Sequence, residues 1–289
     1  LSLDVCGVNE NICDEIRRSI EKKTAVPFEN IVITATHTHS GPNLVYDDTL
    51  SKIDYDYIAT TLIPACTTAA ASAVESLCPA TVGIGTIEST VGVNRHQLSR
   101  DGEVRLGQNP WGVRDPVMTV VAFRNSDGKP IASMIHYAAH CTSVGENDSI
   151  TRDWAGYMID GFERYIGGIA GFYSGPQGVQ GPRLPTGSTS GGSFPGNMEL
   201  ASLMGSRAAL DAVNAYKSIN EWRDVPVKCT GGKITVPYLP MPSEAEVAEL
   251  LAKAENDAEL AKDSSRFWDK YEPRSRVRHY KRLLEAMKK

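Results

Sequence analysis

The stretch Ile31–Asn43, IVITATHTHSGPN, decides how this sequence folds and where its chemistry lies. It begins with the β-branched run Ile31–Ile33, which favours a buried strand. Two histidines, His37 and His39, follow with one threonine between them. Because side chains alternate across a strand, the pattern predicts that both imidazoles point to the same side. Two imidazoles on one face at the end of an apolar strand indicate a site rather than simple packing.

The segments around this stretch predict a parallel β-α-β unit. Residues 1–8 have a strand pattern, Asn9–Lys23 an amphipathic helix pattern with acids early and bases late, and Asn30–Thr36 a second strand pattern. The other predicted elements are helices over Tyr55–Leu77, Trp154–Tyr165 and Met198–Lys217, and strands over Thr81–Thr90, Val117–Arg124, Pro130–Ala138, Gly167–Tyr173 and around Val225–Val236. This order predicts an α/β fold with a mixed central β-sheet flanked by helices and a C-terminal charged helical segment.

The sequence is expected to divide into two domains. Residues 1–242 are predicted to form the α/β domain, and residues 243–289 a helical hairpin packed on it or leading out of it, broken near Glu272–Pro273. Ser243 and Glu246 form a capping-box pattern at the start of this tail. The chain begins within a strand pattern at Leu1 and stops within a helical pattern at Lys289. We therefore expect a piece of a longer protein, incomplete at both ends.

Composition and charge exclude several classes of protein. The chain has 289 residues, of which 41% are hydrophobic, enough for a sizeable core. The net charge is −5 and the basic residues are dispersed, so no nucleic-acid partner is expected. No uninterrupted apolar run approaches the ~18 residues of a membrane span, so no transmembrane segment is expected. The six cysteines lack a CxxC pair, which argues against a disulfide scaffold or a thiolate zinc site.

His140 is the natural companion of His37 and His39. It ends the apolar stretch IASMIHYAAH, residues 131–140, so it is expected at a strand end as well. Strand-end histidines that meet at one edge of a sheet are suited to zinc, because neutral imidazole is a good ligand and a strand fixes its direction. The other interpretation is that His37 and His39 cap loops through hydrogen bonds while His140 is a core residue.

Three further residues are candidates for roles at the same edge. Asn94 and Arg95 end another apolar segment, and an arginine there can stabilise an oxyanion or form a structural salt bridge. Asp153 opens a predicted helix, where it can act as the N-cap or orient a ligating histidine.

In order and spacing these motifs resemble the neutral/alkaline non-lysosomal ceramidase family. The matching segments are HTHSGP at His37–Pro42, NR at Asn94–Arg95, HCTS at His140–Ser143 and SITRDWAG at Ser149–Gly156. The resemblance extends over about residues 1–240. It implies an α/β catalytic domain around a zinc ion and hydrolysis of the amide of N-acyl sphingosine. It also suggests a secreted or periplasmic bacterial protein, although the compartment and the oligomeric state are not predicted.

The resemblance implies a role for each matched residue. His37 and His140 match two zinc ligands, His39 a residue that contacts the reacting group, and Arg95 an arginine that lines the pocket. Asn94 and Gly181 are assigned to substrate binding. The substrate is expected to be a small-molecule or lipid-like amide. The family's remaining zinc ligands, a glutamate and a tyrosine, are expected beyond residue 289.

The long glycine- and proline-rich loop departs from the family pattern. At the position of the family's Gly-Asp-x-Ser/Asn-Pro motif the chain has Gly178–Pro182, GVQGP, with Val179 in place of the acid and Gly181 in place of the serine or asparagine. The glycine-rich run at 186–193 is predicted to form a lid or a disordered insertion. Three functions therefore stay open: a zinc-dependent hydrolase of an amide or related acyl bond, a non-catalytic binding relative that keeps the fold, and a different metal-dependent chemistry on the same scaffold, such as hydrolysis of a sugar or a lactone.

Overall fold

In the computed structural model the α/β character predicted from the sequence is confirmed. The structure describes residues 1–45, 52–100, 102, 104–145, 147–184, 197–232, 234–237, 240–265 and 267–288. The glycine-rich run at 186–193, predicted as a lid or insertion, lies outside these residues.

The strands are β1 Ser2–Leu3, β2 Thr34–Ala35, β3 Thr81–Glu88, β4 Gly92–Leu98, β5 Val104–Asn109, β6 Val117–Arg124, β7 Pro130–Tyr137, β8 Ile169–Ser174 and β9 Gln180–Pro182. The α-helices are α1 Glu10–Thr24, α2 Tyr55–Tyr57, α3 Ile63–Glu75, α4 Asp153–Ile166, α5 Met198–Lys217, α6 Glu244–Leu260 and α7 Phe267–Met287, with a π-helical turn Ile58–Leu62 between α2 and α3.

The described strands form three sheets. A mixed sheet has the order β3-β6-β7-β8, in which only the β7–β8 pair is parallel. The predicted parallel pairing of the first two strands is confirmed as the short sheet β1-β2. An antiparallel sheet has the order β5-β4-β9. The single central sheet of the prediction is thus one mixed sheet with two smaller sheets beside it.

The main core lies between the mixed sheet and helices α4 and α5. Trp154, Phe162 and Phe172 are completely buried there, and the Trp154 ring meets that of Phe172 edge-on at 5.2 Å between centroids. Burial of each such side chain stabilises the fold by about 1.5–3 kcal/mol. A second cluster packs α1 against the helix that follows β2, with Ile16 and Leu62 buried. Trp154 matters for the site as well, because its indole N–H donates to the carbonyl of His140 in the loop after β7.

Two predictions about the C-terminal third are wrong. The segment around Val225–Val236 forms no strand within the residues described there. Val227 and Ile234 are 85% and 87% exposed, and Arg223 alone bridges to β3 at Val82. Without a partner strand, β-branched residues do not make a sheet. The helical tail also turns earlier than predicted, at residues 261–265, and Pro273 lies inside α7.

The chain separates into two compact units, Leu1–Thr230 and Gly231–Lys289. The second unit contains α6 and α7, and α6 begins with the predicted capping box at Ser243 and Glu246. The predicted domain boundary after residue 242, with a hairpin over 243–289, stays a prediction.

One helical segment, Tyr55–Glu75, bears on the prediction that the chain has no transmembrane segment. By length and composition alone its 21 residues could cross a membrane, and only 17% of its most apolar window is buried. A single segment of this kind is weak evidence for a span, because core helices and signal sequences pass the same test. The predicted absence of a transmembrane segment therefore stays a prediction.

Helix α5 crosses β3 so closely that Gly85 has no room for a side chain. A Cβ added at Gly85 would overlap the carbonyl oxygen of Ala215. We expect Gly85→Ala to lower the free energy of unfolding by about 3 kcal/mol, because a backbone atom cannot move away as a side chain can. Urea denaturation measures this. At Gly178 a Cβ meets nothing within 4 Å, so Gly178→Ala is the matched control; equal stabilities of the two variants would contradict the packing described.

Candidate metal centre

The parallel pairing of β1 and β2 places His37 beside Cys6. Beyond the two paired residues of each strand, the backbone N–H of Thr36 donates to the carbonyl of Leu3 at 2.9 Å. The N–H of His37 then donates to the carbonyl of Val5 at 3.0 Å. The chain that follows β1 therefore runs along the chain that follows β2. This register sets the position of the first histidine.

His37 and His39 do come together, but strand alternation is not the reason. β2 ends at Ala35, and His37 has φ 64°, a left-handed conformation that is uncommon for residues other than glycine. The turn at His37 brings its Nε2 to 3.2 Å from Nε2 of His39. The prediction that the two rings share one side is thus met by a backbone turn at the end of the strand.

His140 joins them because the following loop pairs with the HTH segment. β7 ends at Tyr137, one residue before the predicted end at Ala138, and Thr38 forms an isolated parallel bridge with Cys141. The His140 ring lies 4.7 Å from the His37 ring and 5.8 Å from the His39 ring, measured between centroids. Two segments far apart in sequence therefore bring three imidazoles together.

The His140 ring is buried, and its nitrogens are available to bind a metal ion. The residue is 7% exposed, and neither ring nitrogen has a hydrogen-bond partner among the described residues. A buried polar group without a partner costs about 1–3 kcal/mol, so a lone core histidine is a poor explanation. A metal ion bound to one of these nitrogens would give that nitrogen a partner. The donor set therefore fits zinc.

The hydrogen bond of His37 fixes which of its nitrogens is available. Nδ1 contacts the carbonyl oxygen of Cys6, and since a carbonyl only accepts, Nδ1 carries the proton. Nε2 of His37 is then left with its lone pair directed towards His39. The 3.2 Å between the two Nε2 atoms suits an N–H···N hydrogen bond.

The surroundings keep all three imidazoles neutral at pH 7. Burial, followed by the nearby positive charge of Arg95, lowers the pKa of His140 to about 3. Burial lowers the pKa of His39 as well, and the charges of His37 and Arg95 make smaller contributions in the same direction. His39 lies at the rim of the cluster, where its side chain has solvent access. Burial also lowers the pKa of His37. Neutral imidazole is the form that binds a metal.

Arg95 lies on β4, and its positive charge acts on the three histidines. Its Nε donates to the carbonyl of Gly178 at 3.0 Å, and its backbone N–H donates to that of Val179 at 2.9 Å. Within the part of the chain that the structure describes, Arg95 forms no ion pair with a carboxylate, so the salt-bridge alternative finds no support there. The guanidinium is a fixed positive charge that lowers the pKa of His37, His39 and His140.

Asn94 and Gly181 lie next to Arg95 rather than among the histidines. The Asn94 amide donates to the carbonyl of Val113 at 2.6 Å and accepts from the N–H of His96 at 2.8 Å. Gly181 pairs with Val93 across β4 and β9. A Cβ at Gly181 would lie 3.8 Å from Cδ of Arg95, an ordinary van der Waals distance. Their predicted roles in substrate binding stay predictions.

Asp153 holds the loop after His140 instead of contacting a histidine. Its carboxylate, 1% exposed, accepts the N–H groups of Ser143, Val144 and Trp154 at 3.0, 2.9 and 2.7 Å. It is the first residue of α4 rather than the residue before the helix, so the predicted N-cap position falls on Arg152. Burial raises the pKa of Asp153, while these three N–H groups act in the opposite direction.

Cys6 was not predicted from the sequence to lie at the site. Its Sγ lies 3.8 Å from Nδ1 of His37, and the ligand atoms of Cys6, His37 and His39 all lie within 4.8 Å of one another. Burial raises the pKa of this thiol. The predicted parallel pairing of residues 1–8 with residues 30–36 already carried the signal, because it aligns the end of the first strand with the HTH segment.

The fold and this cluster together define an α/β protein with a candidate metal centre at its strand ends. Residues 1–178 match the family model for the N-terminal part of neutral/alkaline non-lysosomal ceramidase, which is more than half of the chain. The chain therefore belongs to the neutral/alkaline non-lysosomal ceramidase family.

Individual relatives agree with this assignment. Neutral ceramidase B of Dictyostelium discoideum is 28% identical over 190 residues, which are 61% of this chain and 26% of that protein. The crystal structure of neutral ceramidase from Pseudomonas aeruginosa matches with a TM-score of 0.61 at 22% identity, over 76% of this chain and 37% of that one. A ceramidase complexed with C2 matches with a TM-score of 0.57 at 21% identity, over 76% and 36%. The chain thus spans about a quarter to a third of the length of these relatives.

The depressed pKa of His140 predicts how the stability of the metal-free protein depends on pH. The unfolded chain takes up a proton near pH 6.5, whereas the folded chain resists it down to about pH 3. Stability is therefore complete above about pH 6.5 and falls as the pH decreases towards the folded value. Between about pH 7.5 and 5.5, wild type should lose about 1 kcal/mol more than His140→Ala.

Urea denaturation at the two pH values, with a chelator present, measures this difference. His96→Ala, at an exposed residue on β4, is the control and should keep the wild-type pH dependence. A His140→Ala variant whose stability falls with pH as steeply as that of wild type would contradict the assignment of a buried, neutral His140.

Proposed function

We propose that this chain carries part of the active site of a zinc-dependent hydrolase that cleaves the amide bond of an N-acyl sphingosine-type lipid. Family membership supports the reaction class. The observation that carries the proposal is the convergence of three neutral imidazoles, one of which, His140, is buried with no partner for either ring nitrogen among the described residues.

His37 and His140 are the proposed zinc ligands. His37 would use Nε2, because its Nδ1 proton is held by the carbonyl of Cys6. This hydrogen bond fixes the ring and makes it a better donor, as backbone carbonyls do behind many metal-binding histidines. Zinc held there would supply a bound water of lowered pKa and polarise the acyl carbonyl.

His39 is the proposed catalytic histidine. It lies at the rim of the cluster, where its ring has solvent access and a substrate can reach it. Its lowered pKa keeps it neutral at pH 7, so it can accept a proton from the attacking water. The same proton can then be donated to the leaving amine. This gives His39 a role that a purely ligating residue would not have.

Arg95 is proposed to stabilise the negative charge that develops on the acyl oxygen. A charge fixed before the reaction needs no reorganisation when the transition state forms. The carbonyls of Gly178 and Val179 hold Arg95 in place. Gly181 leaves the space beside Cδ of Arg95 free, and Asn94 is proposed to bind substrate from the same strand as Arg95. Asp153 is a positioning residue for the loop that carries His140.

The departure of the loop from the family pattern favours a second candidate, a binding protein without hydrolytic activity. Val179 and Gly181 stand where the family has an acid and a serine or asparagine. Val179 is 41% exposed, and its carbonyl accepts the backbone N–H of Arg95. A lipid-binding relative would bind the amide at this site and release it unchanged.

His39→Gln tests the hydrolase proposal. We expect kcat/KM for a short-chain N-acyl sphingosine to fall by about 10²–10⁴-fold, the usual contribution of general acid–base catalysis, while zinc content is retained. His37→Ala and His140→Ala should lose both zinc and activity. Elemental mass spectrometry and measurement of the released fatty acid give the two readouts.

His96→Ala is the control, since His96 is exposed on the same strand as Arg95. Unchanged hydrolysis by His39→Gln would contradict the assigned role of His39. A zinc-loaded wild type that binds the lipid without cleaving it would favour the binding protein.

A further inference from the structure

Gln180 is a buried glutamine whose side chain is bound to the loop between β5 and β6. It is the first residue of β9 and is 1% exposed. Its Nε2 donates to the carbonyl of Asp115 at 3.1 Å, and its Oε1 accepts the backbone N–H of Asp115 at 3.0 Å. A buried amide is stable only when both of its groups are hydrogen-bonded. The paired contact therefore fixes Gln180 to one residue of the neighbouring loop.

The backbone around Gln180 holds both Arg95 and His140. The carbonyl of Gly178 accepts Nε of Arg95 at 3.0 Å, and that of Val179 accepts its backbone N–H at 2.9 Å. The next carbonyl, that of Gln180, accepts the backbone N–H of His140 at 3.1 Å. Three consecutive peptide groups thus link β4, which carries the charge of Arg95, to the loop after β7, which carries the His140 ring.

The amide of Gln180 is the main anchor of this linking segment. β9 lies at the edge of its sheet and pairs with β4 over three residues, of which Pro182 has no backbone N–H to donate. Gly92 provides the space for the amide, because a Cβ added at Gly92 would overlap Nε2 of Gln180. The side chain of Gln180 therefore adds a contact to a third segment that the short strand pairing alone does not provide.

We propose that Gln180 is a positioning residue of the candidate metal centre, whose side chain fixes Arg95 and His140 relative to each other. This rests on the proposed function, since it concerns the same zinc ion and the same reaction. Without the amide, the segment that holds both residues is free to shift. His140 then holds zinc less well, and Arg95 moves away from the oxygen that it stabilises. Because Arg95 acts on charge that develops in the transition state, its displacement lowers kcat rather than raising KM.

Gln180→Met tests this, because methionine keeps the length of the side chain and removes both hydrogen bonds. We expect the zinc dissociation constant to rise, and kcat with saturating zinc to fall, each by about 10–100-fold, the usual loss when an outer partner of a metal site is removed. KM should stay unchanged. Competition with a chromophoric chelator measures the zinc affinity. Gly92→Ala, which displaces the same amide from the neighbouring strand, should cause the same two losses.

Two control variants separate positioning from general destabilisation. Gln177→Met removes an amide three residues earlier, whose oxygen accepts the hydroxyl of Ser174 at 2.7 Å, and it should keep the zinc affinity and kcat of wild type. Gly85→Ala weakens the packing of α5 on β3 and should keep the wild-type zinc affinity below its unfolding transition. An equal loss of zinc affinity in Gly85→Ala would overturn the proposal.

The remaining outcomes separate this proposal from the proposed function. Wild-type zinc affinity and kcat in Gln180→Met would overturn the role of Gln180 and leave the proposed zinc ligands intact. No zinc binding by the wild-type chain would overturn both.

Hydrogen exchange of the wild-type chain, followed by NMR, covers the case in which Gln180→Met does not fold. The backbone N–H groups of Arg95, Asp115 and His140 all donate to the segment that Gln180 anchors. If the amide holds this segment, a single local opening exposes all three groups, and they should exchange with equal protection factors. Rapid exchange at Arg95 or His140 while Asp115 stays protected would overturn the proposal.

Discussion

The hydrogen bond from Nδ1 of His37 to the carbonyl of Cys6 is the constraint on which the rest of the site depends. It holds His37 in a left-handed conformation that a histidine rarely adopts. It also fixes the protonated nitrogen and directs the other one towards His39. The register of β1 and β2 makes the contact possible, because it places the ends of both strands side by side. A short pair of strands thereby fixes the orientation of a candidate metal ligand.

The second support of the site comes from the core. The indole N–H of Trp154 donates to the carbonyl of His140 at 2.9 Å, and the carboxylate of Asp153 holds the next turn of the loop. Trp154 is itself fixed by aromatic contacts with Phe172 and Tyr137. The position of His140 is therefore as rigid as the packing of α4 against the mixed sheet. Rigid placement of this kind is what a metal site or an active site requires.

Much of the fold could be predicted because its signals are local. The predicted bounds of α1 and α5 lie within a residue or two of the observed ones, and the predicted strands Val117–Arg124 and Pro130–Ala138 match β6 and β7 to within one residue. The predicted strand around Val225–Val236 failed because a strand needs a partner, which local sequence does not reveal. The break expected at Pro273 is wrong: Pro273 is the seventh residue of α7, and the helix continues past it although a proline there removes one backbone donor.

The candidate site was only partly predictable for a related reason. His37, His39 and His140 were identified from residue type and from their positions after apolar segments. They are brought together by a left-handed turn at His37 and by a bridge between Thr38 and Cys141. Neither feature produces a periodic pattern in the sequence, so neither could be predicted from it. Cys6 was not predicted because only the register of the two strands places it beside His37.

X-ray absorption spectroscopy at the zinc edge, on the purified chain loaded with zinc, tests the central claim most directly. If one ion binds where the three imidazoles converge, the spectrum should contain a nitrogen shell at about 2.0–2.1 Å and the outer-shell scattering that is characteristic of imidazole. Both features should weaken in His37→Ala and in His140→Ala and persist in His96→Ala. A zinc ion surrounded by oxygen alone, or a spectrum that His37→Ala and His140→Ala leave unchanged, would contradict the account.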